Sequence, residues 1–190
     1  MKNKKVLIGV TAGIAIYKTC SLVRMFIKNG AEVKVIMTDS ATKLVSPVVF
    51  QSLSGNPVYL EMFKPVGENT INHINLADWC DVFILAPASA NTIGKIANGI
   101  ADNLLLTTIM AITKEKPIVI APAMNTNMWE NEFVKKNMRA IEKIDNYYIV
   151  EPEIGLLAEG REGKGVLADI NKIFDKSKEV LNQNVSRSKI

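Results

Sequence analysis

The chain has little from which to build a metal centre or a disulfide framework. Its 190 residues include one histidine and two cysteines. His73 is distant in sequence from Cys20 and Cys80, so the usual nitrogen and sulfur ligand sets cannot be assembled and no metal is expected. Each cysteine sits alone in an apolar pattern, which reads as a buried thiol kept reduced in a cytoplasm. Aromatic residues make up 6%, and the net charge is only +4, with Lys and Arg scattered through helical segments and the C-terminal end. A basic stripe with interleaved aromatics is missing, which excludes the usual nucleic-acid footprint. No apolar run approaches membrane-spanning length. The opening Met1-Lys2-Asn3-Lys4-Lys5 carries the charge of a signal n-region. Gly9, Thr11 and Gly13 break the apolar run behind it, and Lys18 follows without a cleavage site, so it reads as the approach to a first strand.

What the chain does have is apolar residues, 48% of the total, enough for the core of one domain without internal repeats. Short apolar runs at Val6–Val10, Val33–Met37, Val82–Ala86, Ile118–Ala121 and Tyr147–Val150 are nearly continuous in Val, Ile and Leu. Such runs suit strands covered on both faces. Helix-length segments alternate with them: Ile14–Asn29 with Gly30 as C-cap, Ala41–Leu53, Asn72–Trp79, Thr92–Thr113, Trp129–Ile144 and Ile170–Asn182. The alternation predicts an α/β fold, a Rossmann-like or flavodoxin-like three-layer sandwich around a doubly wound parallel sheet. Residues 1–184 form its single domain, and the polar residues 185–190 read as a frayed, disordered tail. The exception is Glu151–Asp169. It holds Gly155, Gly160, Gly163 and Gly165 with charges between, and shows neither strand nor helix period. So long a loop in a compact domain suits a mobile flap, although a solvated connection has the same composition.

The stretches with chemical content lie where strands end. Gly9-Val10-Thr11-Ala12-Gly13-Ile14 is a small-residue turn opening onto a helix. Thr11 stands where a dinucleotide motif has its second glycine, so a single phosphate fits this helix N-terminus better than a pyrophosphate. Pro87-Ala88-Ser89-Ala90-Asn91-Thr92 is a second such turn; Asn91 or Thr92 serves equally well as a plain N-cap. Thr38-Asp39-Ser40 is a third polar strand end on the same rim. Pro122-Ala123-Met124-Asn125-Thr126-Asn127-Met128-Trp129 places two neutral amides at a strand exit, where open α/β sheets hold their ligands. Amides there suit a carboxylate or amide group, while Thr126 or Asn127 is also an ordinary helix cap. A lone histidine such as His73 is more often structural than catalytic, though it stands just before a helix near this rim.

Together these stretches resemble the homo-oligomeric flavin-containing cysteine decarboxylases, the family of phosphopantothenoylcysteine decarboxylase in coenzyme A synthesis. The matching segments are Gly9–Lys18, Ile71–Leu76, Pro87–Thr92, Pro122–Trp129 and Leu156–Asp169, in the family's order over about 160 residues. The resemblance implies FMN held by Ala12, Gly13, Ile14, Thr38, Asp39, Ser40, Ser89, Ala90, Asn91, Thr92 and Ala123. It implies that Asn125 binds the substrate carboxylate region, that Met124 also contacts substrate, that Leu156, Leu157 and Ala158 line the substrate side of the flap, and that His73 is the general base. It also implies a homotrimer or a dodecamer of trimers, with flavin at subunit contacts. A phosphopantothenate–cysteine ligase would be a separate or fused partner, making the chain a stand-alone enzyme or a piece of a bifunctional one. The cysteine carboxylate has no electron sink of its own; oxidation of its thiol side chain to a thioaldehyde by the flavin would create one, and CO2 would leave an enethiol.

One position departs from the family. Its flap usually reads Leu-Ala-Cys-Gly, with the cysteine understood to deliver the proton when the enethiol is reduced. Here the flap reads Leu157-Ala158-Glu159-Gly160. A thiol and a carboxylic acid differ by about four pKa units in water, so Glu159 needs burial to act as an acid at neutral pH. Three readings follow. In the first, Glu159 replaces the cysteine in a coenzyme A decarboxylase. In the second, the enzyme stops at the enethiol as an oxidative decarboxylase, like family members that process peptide C-terminal cysteines. In the third, the chain is a non-catalytic flavoprotein that regulates a partner. Gly163-Lys164-Gly165 through Leu167-Ala168-Asp169 favours the first, and the short basic C-terminus disfavours the third.

Overall fold

The computed structural model describes residues 1–64 and 72–187. Six parallel strands form the central sheet: β1 (Lys5–Val10), β2 (Glu32–Met37), β3 (Val58–Tyr59), β4 (Val82–Ala88), β5 (Ile118–Pro122) and β6 (Tyr147–Ile149). Their order is β3-β2-β1-β4-β5-β6, so the direction of winding reverses between β1 and β4. Crevices at the carboxyl ends of such a switch point are the general ligand site of doubly wound sheets.

Strand alternation sorts the apolar residues into two layers. Val6, Ile8, Val10, Val82, Ile84 and Ala86 face one side. They pack there with α1 (Ile16–Lys28), α3 (Pro47–Ser54) and α9 (Ile170–Arg187). Leu7, Phe83, Leu85, Ile118 and Ile120 face the other. Their partners are α4 (Asn72–Trp79), α5 (Ala90–Ala97), α6 (Leu104–Ala111), α7 (Thr126–Glu130) and α8 (Glu132–Ile141). Side chains buried on both faces explain the unbroken apolar runs. Alternation puts Gly9 on the second face, where a Cβ would come 2.6 Å from the Phe83 ring.

The expected α/β sandwich is therefore present, and its departures are local. The predicted helix Ala41–Leu53 is two pieces, α2 (Asp39–Thr42) and α3, because Ser46-Pro47 restarts the helix with proline in its first turn. Thr92–Thr113 divides into α5 and α6. Gly99 takes a positive φ of 66°, and the Asn103 side chain accepts from the Leu106 N–H to start the second piece. Trp129–Ile144 divides at Asn131, whose side chain caps α8 by accepting from the Phe133 N–H. Strand β3 has only two residues, too few for a pattern. The final helix runs to Arg187, so Val185–Arg187 are helical rather than frayed, and 188–190 lie outside the described residues. Glu151–Asp169 is the largest correction. It contains an antiparallel hairpin, β7 (Glu153–Leu156) paired with β8 (Glu162–Val166), whose glycines hid any strand period.

Among the described residues no helix is long and apolar enough to cross a membrane, and no group of three or more His, Cys, Asp or Glu could hold a metal ion.

Candidate functional site

Three strand ends are stitched together at the switch point. The Thr11 hydroxyl donates to the Pro87 carbonyl at 2.7 Å and accepts from the Ser89 N–H at 2.9 Å. One buried side chain thus joins the turn after β1 to the turn after β4. The Thr19 hydroxyl adds a bond to the Ala86 carbonyl at 3.0 Å. The Ala123 N–H donates to the Ala88 carbonyl at 3.2 Å, which brings in the turn after β5. Thr11, read from sequence only as a missing glycine, is the joint of the site.

Each turn starts a helix with its own cap. The Ser89 side chain accepts from the Thr92 N–H at 3.3 Å at the start of α5. Asn125 caps α7, its Oδ1 accepting from the Asn127 N–H at 2.7 Å. That bond holds the amide plane and leaves Nδ2 free to donate elsewhere. It donates to a carboxylate oxygen of Glu159 in the flap.

The flap hairpin lies against this turn. The Met124 N–H donates to the Gly165 carbonyl at 3.0 Å. Gly165 has a φ of +151°, and a Cβ there would meet the Met124 carbonyl oxygen at 2.1 Å, so only glycine permits the approach. Lys164 pairs with Glu151 at 2.6 Å and Lys172 with Glu153 at 2.7 Å along the hairpin's base. The Lys172 ammonium holds the Glu153 carboxyl below its ordinary range, and the Asn171 backbone N–H does the same for Asp169 at the start of α9.

Between turns and flap lies a cavity of about 420 Å³. Of the residues expected to hold FMN, it is lined by Ala12, Gly13, Ile14, Ser89, Ala90 and Ala123. The expected substrate residues Met124, Asn125, Leu156, Leu157 and Ala158 line it too, as does Glu159. Others stand outside the lining. Thr38 caps α2 by accepting from the Ala41 N–H, Asp39 pairs with Lys43 at 3.3 Å, and Ser40 is exposed, all one strand further along the rim. Asn91 is exposed, and Thr92 is buried with its hydroxyl 3.1 Å from that of Ser89. His73 lines no part of this cavity. It sits in the first turn of α4, half-buried, with Nδ1 lacking a hydrogen-bond partner among the described residues. The crossover from β3 to β4 puts that end of α4 on the same rim as the strand ends. Ile71, read with it from sequence, lies outside the described residues.

Sequence reading missed Tyr17, Lys18, Met128, Val166 and Leu167, which also line the cavity. Among the described residues Lys18 is the only cationic one lining the cavity, half-buried, with Nζ 3.5 Å from the Leu167 carbonyl. Its position in the first turn of α1, directly behind the Gly13 turn, was the available signal.

A family model described as Flavoprotein matches residues 1–182. The chain belongs to the Flavoprotein family. Among curated Flavoprotein relatives, the coenzyme A biosynthesis bifunctional protein CoaBC of Bacillus subtilis is 48% identical over 91% of this chain. The match spans only 42% of that longer protein. A probable phosphopantothenoylcysteine decarboxylase of Streptococcus mutans is 42% identical, and the match covers 94% of this chain and 99% of the relative. Among solved structures, a cysteine-to-serine mutant of PPC decarboxylase complexed with pantothenoylaminoethenethiol superposes with a TM-score of 0.82 at 30% identity, covering 94% of this chain and 98% of that one. The FMN-binding protein AtHal3 gives 0.78 at 31% identity, over 94% and 96% of the two chains.

Proposed function

We propose that the chain is an FMN-dependent phosphopantothenoylcysteine decarboxylase, converting 4'-phosphopantothenoylcysteine to 4'-phosphopantetheine and CO2 in coenzyme A synthesis. The observation that carries the reading is the cavity itself. It joins two helix-opening small-residue turns to an amide already donating to a carboxylate, under the β7–β8 hairpin. The residues fit a flavin: Ala12, Gly13, Ala90 and Ala123 line the cavity with small side chains beside the N-termini of α1 and α5. Small side chains leave room for a ring system, and such helix ends favour a phosphate. When bound, FMN supplies the reversible two-electron chemistry that gives the cysteine carboxylate an electron sink.

The chain's own side chains supply binding and proton control. Asn125, locked by its cap, offers the substrate carboxylate one neutral N–H. A neutral donor does not over-stabilise the charge that must leave, so binding is not spent on the ground state. The hairpin excludes water from the cavity once closed. His73 is the candidate base, yet it stands off the lining of its own chain's cavity. A homotrimer with sites at subunit contacts would bring the His73 of one subunit to the cavity of another, which supports the trimer over a monomer. Glu159 is the candidate acid at the position of the family's flap cysteine. It is exposed here and engaged by Asn125, so that role needs the flap to rearrange around substrate. The fused relatives support a phosphopantothenate–cysteine ligase as partner, and two free thiols suit a cytoplasmic enzyme.

Mass spectrometry of the product after anaerobic incubation with phosphopantothenoylcysteine tests the reading. Phosphopantetheine, lighter than substrate by CO2 alone, is expected. A product two hydrogens lighter still, with bleached flavin, would establish the oxidative enzyme instead.

A further inference from the structure

Among the described residues, one side-chain hydrogen bond ties the tip of the flap to the body. Leu157 N–H donates to the Arg161 carbonyl at 2.9 Å and Gly160 N–H to the Leu157 carbonyl at 2.9 Å, so the tip is a tight turn closed on itself. Ile154 and Leu156, on the arm leading to it, are 72% and 75% exposed and contribute little packing. Among the described residues, the only side-chain hydrogen bond from this turn to the rest of the protein runs between Glu159 and Asn125 Nδ2. Asn125 Oδ1 is committed to the Asn127 N–H, so the donor that faces the cavity is fixed in direction.

We propose that Glu159 is a built-in placeholder for the substrate carboxylate. Its carboxylate occupies the Asn125 amide while the site is empty, keeps the flap shut over the cavity, and yields when a substrate carboxylate reaches the same amide. Identification of the incoming carboxylate rests on the function proposed above; the latch itself does not. The Asn125 NH2 carries two hydrogens, but two carboxylates drawn to one neutral amide repel each other, so the two states compete. The exchange is like for like, one ionic hydrogen bond for another, and no proton or electron moves. Departure of CO2 removes the competitor and lets Glu159 return, which couples loss of the carboxyl group to closure behind the product. The cysteine of related flaps has no carboxylate to offer Asn125, so the latch belongs to this chain's Glu159.

Arg161 places a trypsin site inside the turn, and its cleavage rate in the native flavin-loaded protein reports opening. Asn125→Asp sets two carboxylates against each other and is expected to raise cleavage at Arg161 about tenfold, the order set by loss of one charge-assisted hydrogen bond. Adding Glu159→Gln to that variant restores a donor–acceptor pair and should return cleavage to near the wild-type rate. Equal cleavage in wild type and Asn125→Asp, or a double variant no slower than the single one, would overturn the latch. Thermal unfolding of each variant separates a local opening from general loss of fold. The second arm uses phosphopantothenoylserine, which keeps the carboxylate and lacks the thiol. Glu159→Ala removes the competitor and should tighten its binding by roughly three- to tenfold. Weaker binding instead would mean that Glu159 helps to hold substrate, and would overturn the placeholder. If no variant binds the analogue while the trypsin pattern holds, the substrate reading fails and the latch stands.

Discussion

Thr11 shows how much one buried side chain can carry. It is 1% exposed and bonds two groups of a turn 76 positions away. Thr11→Val keeps the shape, removes the bond to the Pro87 carbonyl and leaves the Ser89 N–H without its acceptor. An orphaned buried donor costs about 1–3 kcal/mol, so urea unfolding should show a loss of that order, with Thr11→Ser recovering most of it. Cys80 is a second single-position case. Burial pushes its thiol from 9.0 to about 11. The unfolded chain ionises this thiol first, so its contribution to stability is complete below pH 9 and is lost as pH rises from 9 towards 11. Wild type should therefore lose up to about 2–3 kcal/mol more than Cys80→Ala across that range, followed by denaturant unfolding at each pH. An equal loss in both proteins would mean that the thiol is not held neutral.

Elements divide where side chains act as caps. Sequence periodicity merged α5 with α6 and α7 with α8, because Asn103 and Asn131 look like ordinary helix-surface residues until their amides are seen accepting from N–H groups two or three residues on. The hairpin of β7 and β8 was illegible for a different reason. Gly155, Gly163 and Gly165 erase the alternation within the strands, and Gly163 and Gly165 serve close approach to the turn after β5. Gly163 makes the same point as Gly165, since a Cβ on it would meet the Thr126 hydroxyl at 2.2 Å. Gly165→Ala cannot keep both its backbone angle and the bond to the Met124 N–H. Detachment of the hairpin is expected, with hydrogen exchange at Met124 and across β8 accelerating on the order of tenfold or more while the central sheet keeps its protection. Uniform acceleration throughout the protein would instead mark a global role for this glycine.

For the trimer proposed above, the placement of His73 is the feature to test. Lying on the right rim but off the lining of the cavity, it makes a site shared between subunits the arrangement to test. His73→Asn and Asn125→Asp subunits, each inactive alone, can complement each other when mixed. In a randomly assembled trimer with one histidine donated per interface, a site is intact with probability of about one quarter, so roughly 25% of wild-type activity should return after unfolding and refolding the mixture. No recovery from a mixture shown to contain mixed trimers would place His73 and Asn125 in one subunit's site.

Local burial and turn chemistry are written along the chain, and they sufficed for the parallel sheet, the two apolar layers and three of the strand-end turns, which line the cavity. Runs such as Val6–Val10 and Val82–Ala86 state their own burial, and Asn125 declares itself as an amide at a strand exit. Which turns meet is a different kind of fact. Thr11 finds Pro87 because β1 and β4 are neighbours at the point where winding reverses, and Asn125 finds Glu159 because a glycine hairpin folds back across 34 positions. Thr38, Asp39 and Ser40 end a strand in the same way as Ser89 and yet stand beside the cavity, since β2 is one place further from the switch point. Periodicity reports the environment of a residue; the identity of its distant partner is set by strand order and by where the backbone can come close enough to bond.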